Sequence, residues 1–316
     1  MASRALLLAG LAGAASAGLY LAVGLGSFGA LILAYLAQLP LFAAGLGVGF
    51  PAAVAASAIG LVVVALALPL TAAGLFALTT AAPVLVLTAH ALRSRQAEDG
   101  STAWYPAGYL IATLNALALI LLLAGALVLS GREGGMVGAG RELVSDMLRG
   151  LSGTAGEAEI DAAPPAHGPM TALLPALVLI SWQLMVIVNG LLAQGALSRF
   201  GANIRPGEPF AALFLPGWPR PVLAAAVALA LLPGQFGDFG RNAAVVALLP
   251  FFLLGLSVIH AISHRWAGRA FVLLGVYLIL FVAGWPAVIV AAIGVLEPWT
   301  RLRTRFGTPR RADEEE

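Results

Sequence analysis

Between Arg4 and Arg93 the chain has no charged side chain, and the one residue there that can gain a charge near neutral pH is His90. An α-helix needs ~20 apolar residues to cross a hydrocarbon core about 30 Å thick, and apolar runs of this length follow one another from residue 5 to residue 299. The chain of 316 residues is 60% apolar and 10% charged, which leaves too few polar side chains to cover a water-soluble domain. The sequence therefore predicts an all-α fold, a polytopic transmembrane helix bundle.

Two residue types are missing from the sequence, and each absence removes a class of chemistry. There is no cysteine, which excludes disulfides, thiolate nucleophiles and cysteine-ligated metals. There is no lysine, since all 17 basic residues are arginine, and this excludes Schiff-base chemistry and a P-loop lysine. No nucleotide motif, catalytic triad or paired carboxylate stands out. We therefore expect neither an enzyme, nor a cofactor or metal, nor a nucleic-acid partner.

Breaks at glycine, proline and charged clusters divide the chain into eight to ten membrane segments. The expected spans are residues 5–24, 28–49, 51–68, 71–91, 107–130, 170–198, 221–233 and 242–261, followed by an apolar stretch over 267–300. The seventh is short for a crossing, and a re-entrant half-helix would also fit it. The first span has the features of a signal peptide, but the equally apolar chain beyond it favours a retained helix.

Arginines in the loops indicate the orientation of the spans, because cytoplasmic loops are enriched in them. Clusters follow the fourth span, surround the loop after the sixth, and flank the last apolar stretch. Gly284-Trp285-Pro286 interrupts that stretch. A hairpin there, with crossings over 267–283 and 286–300, keeps every cluster and both termini cytoplasmic. One kinked helix over 270–300, with a seventh span that does not cross, would preserve the same orientation.

The long loop over residues 131–169 then lies on the extracytoplasmic side. Five apolar residues in it recur at helical spacing: Leu143, Val144, Met147, Leu148 and Leu151. This spacing predicts a short amphipathic helix that lies on the membrane or caps the bundle. Residues 307–316 are interpreted as a disordered cytoplasmic tail, so the expected organisation is one helix-bundle domain over residues 1–306.

Polar side chains inside the predicted spans are costly in lipid and mark candidate ligand contacts. Five are singled out: Gln38, Asn115, Gln183, Asn189 and Gln194. At 100° per residue, Gln183 and Gln194 lie about 20° apart on one face of the sixth span, and Asn189 lies about 120° away. The sixth span therefore predicts a polar stripe that lines a ligand cavity, and Asn115 in the fifth span and Gln38 in the second are similar candidates. The alternative is that these amides form hydrogen bonds between helices, each worth about 1 kcal/mol.

His260 and His264 have the spacing of two metal ligands on one helix face. The zinc-protease motif requires a glutamate after the first histidine, and Ala261 stands there instead. We therefore expect no metal site and place both rings at a helix end near the cytoplasmic interface.

Glu297 is the one carboxylate near the last apolar stretch, and it precedes Arg301 by four residues. This spacing and order favour an ion pair on one helix, so Glu297 is interpreted as a structural anchor. Asp238 is expected to pair with Arg241 in an outer turn.

Three apolar pieces of the chain resemble one group of proteins. They are "LPLFAAGLGVGFPAAVAASAIG" (39–60), "LLPALVLISWQLMVIVNGLLAQGALSRFG" (173–201) with "FLPGWPRP" after it, and "IGVLEPWTRLR" (293–303). The resemblance is to the YybS-like family of uncharacterised bacterial inner-membrane proteins. It implies a fold similar to the substrate-binding membrane components of energy-coupling-factor transporters, with a small-molecule cavity inside the bundle.

Two functions follow as expectations. The first is binding or transport of a small solute among spans two, five and six, with the lipid bilayer as environment and an ATPase as a further partner. The second is a non-transporting scaffold or regulator of other membrane proteins. A membrane enzyme is the least favoured, since the few ionisable residues are scattered. The expected location is the bacterial inner membrane, as a multi-pass protein.

Overall fold

The computed structural model describes residues 2–96, 98, 100–152, 169–266 and 268–306. Nearly all of the described chain is helical, which confirms the all-α, polytopic helix bundle. The helices are α1 (Ala2–Leu21), α2 (Phe28–Tyr35), α3 (Leu39–Val48), α4 (Phe50–Ala67), α5 (Leu70–Phe76), α6 (Ala82–Ala91), α7 (Ala107–Leu129), α8 (Gly135–Ser152), α9 (Pro169–Ala172), α10 (Leu174–Arg199), α11 (Pro219–Ala230), α12 (Gly234–Ser263), α13 (Arg269–Ala283), α14 (Pro286–Thr300) and α15 (Leu302–Phe306). Strands β1 (Ser94–Gln96) and β2 (Thr102–Trp104) form an antiparallel hairpin.

Seven helical stretches in the described residues are long and apolar enough to cross a membrane. They correspond to predicted spans one to six and to an extended eighth. The eighth begins at Gly234, eight residues earlier than predicted, so Asp238 lies in the first turns of α12 and not in an outer turn. Three shorter apolar helices, α11, α13 and α14, correspond to the remaining predicted segments. The orientation of the spans stays a prediction.

The chain forms two compact units. Unit 1 comprises Met1–Leu114 and Ser181–Glu208, and unit 2 comprises Asn115–Ile180 and Pro209–Glu316. The expectation of one domain over residues 1–306 stays a prediction, and the expected tail over 307–316 lies outside the described residues.

Unit 1 is packed through glycines that let helices approach closely. A Cβ added at Gly13 of α1 would lie 2.4 Å from the Ala56 carbonyl oxygen of α4, and one at Gly45 of α3 would lie 2.6 Å from Thr88 Cγ2 of α6. Gly49 has a different role, because its φ of 123° turns the chain between α3 and α4. Gly45 and Gly49, four residues apart, therefore serve as a helix contact and a turn respectively.

Unit 2 is centred on α12, which packs against α11 and α14. A Cβ at Gly255 would lie 1.9 Å from the Val290 carbonyl oxygen, and one at Gly294 would lie 1.9 Å from that of Phe251. Backbone touches backbone where α12 and α14 meet, and no side chain larger than hydrogen fits at either glycine.

The last apolar stretch is two helices. Gly284 has a φ of 67°, in the left-handed region that glycine adopts without strain. It ends α13, and Pro286 begins α14 at a position where a missing N–H costs nothing. The predicted break is confirmed at Gly284-Trp285, and no described residue of α13 is buried.

The amphipathic helix predicted in the long loop is α8. Val137 on α8 is buried, and Gly140 lies against Leu174 and Thr171. Leu143, which was expected on the apolar face, is half exposed. Of the two predicted positions, these contacts favour a helix that caps unit 2.

Candidate functional site

Two interrupted membrane helices meet in unit 1. Residues 36–38 separate α2 from α3, and the π-helical turn Ala77–Ala81 separates α5 from α6. The second interruption has a cause in the sequence. Pro83 has no N–H for the carbonyl four residues back, at Thr79, and its ring clashes with that carbonyl in a regular helix. The wider turn relieves the clash and leaves the Thr79 carbonyl without its helical donor.

Two side chains supply donors to the Thr79 carbonyl oxygen. Gln38 Nε2 lies 2.8 Å from it, and Trp182 Nε1 of α10 also lies 2.8 Å from it. Because no water is present in the hydrocarbon region, a freed carbonyl must find such donors within the protein. The Thr79 carbonyl oxygen therefore connects the interrupted α5–α6 helix with the start of α3 and with α10.

Asn189 donates hydrogen bonds to backbone carbonyls at the other interruption, between α2 and α3. Its Nδ2 donates to the Tyr35 carbonyl oxygen at 2.7 Å, at the end of α2, and to that of Met185 at 2.8 Å. The Tyr35 hydroxyl and Ser181 Oγ lie 2.8 Å apart. The helix-break cluster is defined here as Tyr35, Gln38, Thr79, Trp182 and Asn189.

The cluster retains unused acceptors. Gln38 Oε1 and Asn189 Oδ1 are buried, and neither has a hydrogen-bond partner among the described residues. Gln38 is 0% exposed and Asn189 is 1% exposed. A buried amide oxygen without a partner costs about 1–3 kcal/mol, so each oxygen would be stabilised by a hydrogen-bond donor, whether a water or another bound group.

The other predicted ligand residues lie elsewhere. Gln183 is buried beside Trp182 in the chain, at 1% exposure. Gln194 Nε2 donates to the Arg205 carbonyl oxygen at 2.8 Å, near the end of α10. Eleven residues of helix separate Gln183 from Gln194, about 16 Å along the axis, so their common face does not place them in one site. A ligand role for either stays a prediction.

Asn115 belongs to unit 2, whereas the other four candidates belong to unit 1. Its Nδ2 donates to the Val246 carbonyl oxygen at 2.7 Å. Val246 precedes Pro250 of α12 by four residues, so Asn115 satisfies a carbonyl that a proline has freed.

Asn242, which the sequence analysis did not single out, bridges a helix break in the same way. Its Oδ1 accepts from Ala176 N at 3.0 Å, and its Nδ2 donates to the Ala172 carbonyl oxygen at 3.0 Å. These two backbone groups would bond to each other in a continuous helix, so the amide replaces the missing bond between α9 and α10.

Sequence reasoning missed Thr79, Trp182 and Asn242. A usable signal was present, because each proline inside an apolar run frees the carbonyl four residues before it. Pro83 indicates Thr79 and Pro250 indicates Val246 by this rule alone. What the rule does not provide is the identity of the donor, which depends on how the helices pack.

Buried charge in unit 1 is concentrated at Arg205, which is 6% exposed. Its Nη1 donates to the carbonyls of Ala91 and Tyr105, and its Nη2 pairs with Glu208 Oε1 at 2.6 Å. Glu208 Oε2 accepts from Ala107 N at the start of α7. The pair fixes the loop after α10 to the ends of α6, β2 and α7, which is a structural role.

Glu297 in unit 2 is buried and forms its ion pair with Arg303, 3.1 Å away, so the expected partner Arg301 was wrong. The helix ends at Thr300, and Arg301 adopts a φ of 48°. The reversed chain brings Leu302 N and Arg303 N to the carboxylate. Arg303 Nη1 then donates to Leu213 O at 2.6 Å. The interpretation of Glu297 as an anchor agrees with these contacts.

His260 lies between aromatic rings, with Phe210 at 5.3 Å and Tyr277 at 5.9 Å between ring centroids. Its Nδ1 lies 2.9 Å from the Leu256 carbonyl oxygen. In the described part of the chain no three histidine or acidic side chains converge as metal ligands. The predicted pair of Asp238 and Arg241 is confirmed as an ion pair.

Comparison with known proteins gives a family and no function. No curated protein and no solved structure matches the chain. The finer resemblance to YybS-like proteins, and to the membrane components of energy-coupling-factor transporters, stays a prediction. A family model matches residues 5–297, nearly the whole sequence. The chain therefore belongs to the family described as predicted membrane protein (DUF2232).

Proposed function

We propose that the protein binds a small solute at the helix-break cluster of unit 1 and moves it across the membrane. One observation carries the proposal. Gln38 Oε1 and Asn189 Oδ1 are buried acceptors without partners among the described residues, and they flank an interrupted membrane helix. Transporters commonly hold substrates where membrane helices are discontinuous, since non-helical backbone in the hydrocarbon region is tolerated where it is buried or lines a cavity.

The chemistry of the cluster selects a class of solute. Asn189 Nδ2 donates to two backbone carbonyls and Gln38 Nε2 donates to one. The cluster atoms without any partner are the two amide oxygens, so the groups that most need a solute are acceptors. A matching solute presents N–H or O–H groups, as amines, amides and polyols do. The cluster has no charged member, and α2 to α6 contain no charged residue. A solute that donates hydrogen bonds therefore fits better than an anion.

Thermal unfolding of the purified protein in detergent, across a panel of small amines, amides and polyols, tests the proposal. A solute that binds at 100 times its Kd stabilises the folded state by about 2.7 kcal/mol. Gln38→Leu and Asn189→Leu should each abolish that stabilisation. Asn242→Leu is the matched control, because it removes a buried amide of similar structural use in unit 2 and should retain the solute effect.

Either of two results would reject the proposal. One is a panel in which no solute stabilises the wild-type protein. The other is a solute effect that survives both Gln38→Leu and Asn189→Leu. An ATPase partner, the bacterial inner membrane as location and the absence of enzymatic activity rest on the sequence analysis and form part of the proposal.

A scaffold or regulator is the second candidate, and the exposed surface of α13 favours it. Phe271, Phe281 and Val282 on this helix are 81%, 89% and 75% exposed, so α13 offers a lipid-facing surface that another membrane helix could cover. Cross-linking would then recover a membrane protein at α13, and Gln183→Leu with Gln194→Leu would leave the phenotype of the host cell unchanged.

A further inference from the structure

Three segments of unit 2 lie together around the ends of α12 and α14. Arg303 Nη1 donates to the carbonyl oxygens of Ala211 and Leu213. Arg265 Nη1 donates to the Phe306 carbonyl oxygen at 3.2 Å. The loop before α11, the turn after α12 and the chain after α14 therefore form one surface.

This surface carries an excess of positive charge. Segments 210–220, 264–269 and 297–306 contain six arginines and one carboxylate, Glu297. Glu297 is buried and is neutralised by Arg303. Within the described residues, no carboxylate pairs with the other five, which are Arg220, Arg265, Arg269, Arg301 and Arg305. Arg265, Arg301 and Arg305 are exposed, and Arg220 and Arg269 are half-buried. In the part of the chain that the structure describes, the charge of these five arginines is not neutralised by a carboxylate.

Aromatic side chains lie among these arginines. Arg220 Cζ is 5.6 Å from the ring centroid of Trp299. Trp299, Trp266 and Phe306 are 65%, 50% and 52% exposed. Exposed tryptophans are typical of the headgroup region of a bilayer, because one edge of the ring contacts apolar lipid while the other is hydrated. Arginines beside such tryptophans are typical of the same region, where the lipid phosphates lie.

We propose that this surface, named here the arginine–tryptophan surface, binds the headgroup of an acidic phospholipid. Guanidinium groups donate paired hydrogen bonds to phosphate oxygens, and Arg301 and Arg305 lie one helical turn apart, since Arg305 N donates to the Arg301 carbonyl oxygen. Trp266 and Trp299 flank the site and pack beside the glycerol and upper acyl chains. A zwitterionic lipid carries the same phosphate together with a cationic group in its own headgroup, so it binds the surface more weakly than an acidic lipid.

Quenching of tryptophan fluorescence by brominated lipids tests the site in vesicles that contain the full-length protein. Brominated phosphatidylglycerol should quench more strongly than brominated phosphatidylcholine, in proportion to its relative affinity. Each arginine near an anionic surface contributes about a five-fold preference for the anionic lipid. A variant with Arg265→Gln, Arg301→Gln and Arg305→Gln should lose most of the preference, and the corresponding lysine variant should keep a reduced one.

Arg93→Gln with Arg95→Gln is the matched control, because both residues are exposed arginines of unit 1. It should retain the preference. The proposal is overturned if the triple variant keeps the wild-type preference, or if the control loses as much. Millimolar inorganic phosphate that abolishes the preference would identify a soluble anion site and overturn it as well. If the triple variant does not fold, Arg305→Gln alone must still lower the preference.

Discussion

The hydrogen bond from Asn115 to the Val246 carbonyl predicts a specific coupling with Pro250. Val246 is 0% exposed and Asn115 is 2% exposed, and the bond is 2.7 Å long. Asn115→Leu preserves the approximate volume and removes the donor, so the free energy of unfolding should fall by about 1–3 kcal/mol. In a Pro250→Ala background the new backbone N–H can bond to Val246, and the same substitution should cost less by about 0.5–1.5 kcal/mol.

A double-mutant cycle measures this difference, with unfolding by SDS titration in mixed micelles and tryptophan fluorescence as the signal. Pro233→Ala is the matched control background, since Pro233 precedes α12 and frees no carbonyl inside it. In that background Asn115→Leu should lower the free energy of unfolding by the same amount as in the wild-type protein, to within about 0.3–0.5 kcal/mol. If Asn115→Leu costs the same in the Pro250→Ala background as in the wild-type protein, the argument that Pro250 leaves the Val246 carbonyl in need of the Asn115 donor is refuted.

Two further predictions concern unit 2 and use the same unfolding assay. Gly294→Ala places a Cβ 1.9 Å from a backbone oxygen of α12, so the free energy of unfolding should fall by about 3 kcal/mol or more. The control is Gly275→Ala in α13, where the added Cβ meets no neighbour within 4 Å. This substitution should change the free energy of unfolding by less than about 1 kcal/mol. A small effect at Gly294 would contradict the close contact. Arg303→Gln leaves Glu297 buried without its cation and should cost about 3–5 kcal/mol, while Arg301→Gln should cost under about 0.5 kcal/mol. A larger loss for Arg301→Gln than for Arg303→Gln would instead support the pair of Glu297 and Arg301 that was first expected from the sequence.

Hydrophobic length alone was enough to predict most of the helices, because the bilayer fixes how many apolar residues a crossing needs. The end of α14 shows where local rules fail. The Glu297 and Arg301 spacing favours a pair only while the helix continues, and the left-handed Arg301 ends it. The resulting turn delivers Arg303 instead. No helical periodicity contains this information, because it depends on where the chain reverses.

The candidate site shows a second limit. Helical angles place Gln183 with Gln194 and apart from Asn189, yet Asn189 is the one that contacts the break at Tyr35. A helical projection discards position along the axis and the identity of the facing helix. The prolines were readable from the sequence, whereas the matching of Gln38 and Trp182 to one carbonyl required the packed bundle.

Unit 1 is assembled from two parts of the chain that are made at different times. The ribosome delivers residues 1–114 well before residues 181–208, which include the side chains of Trp182 and Asn189. Until α10 is inserted, the carbonyls of Tyr35 and Thr79 lack donors that the finished unit provides. In a chain that folds in this order, Gln38 can already donate to Thr79, whereas the Tyr35 carbonyl waits for Asn189. Biogenesis of this fold is complete only when its second half reaches back to the first.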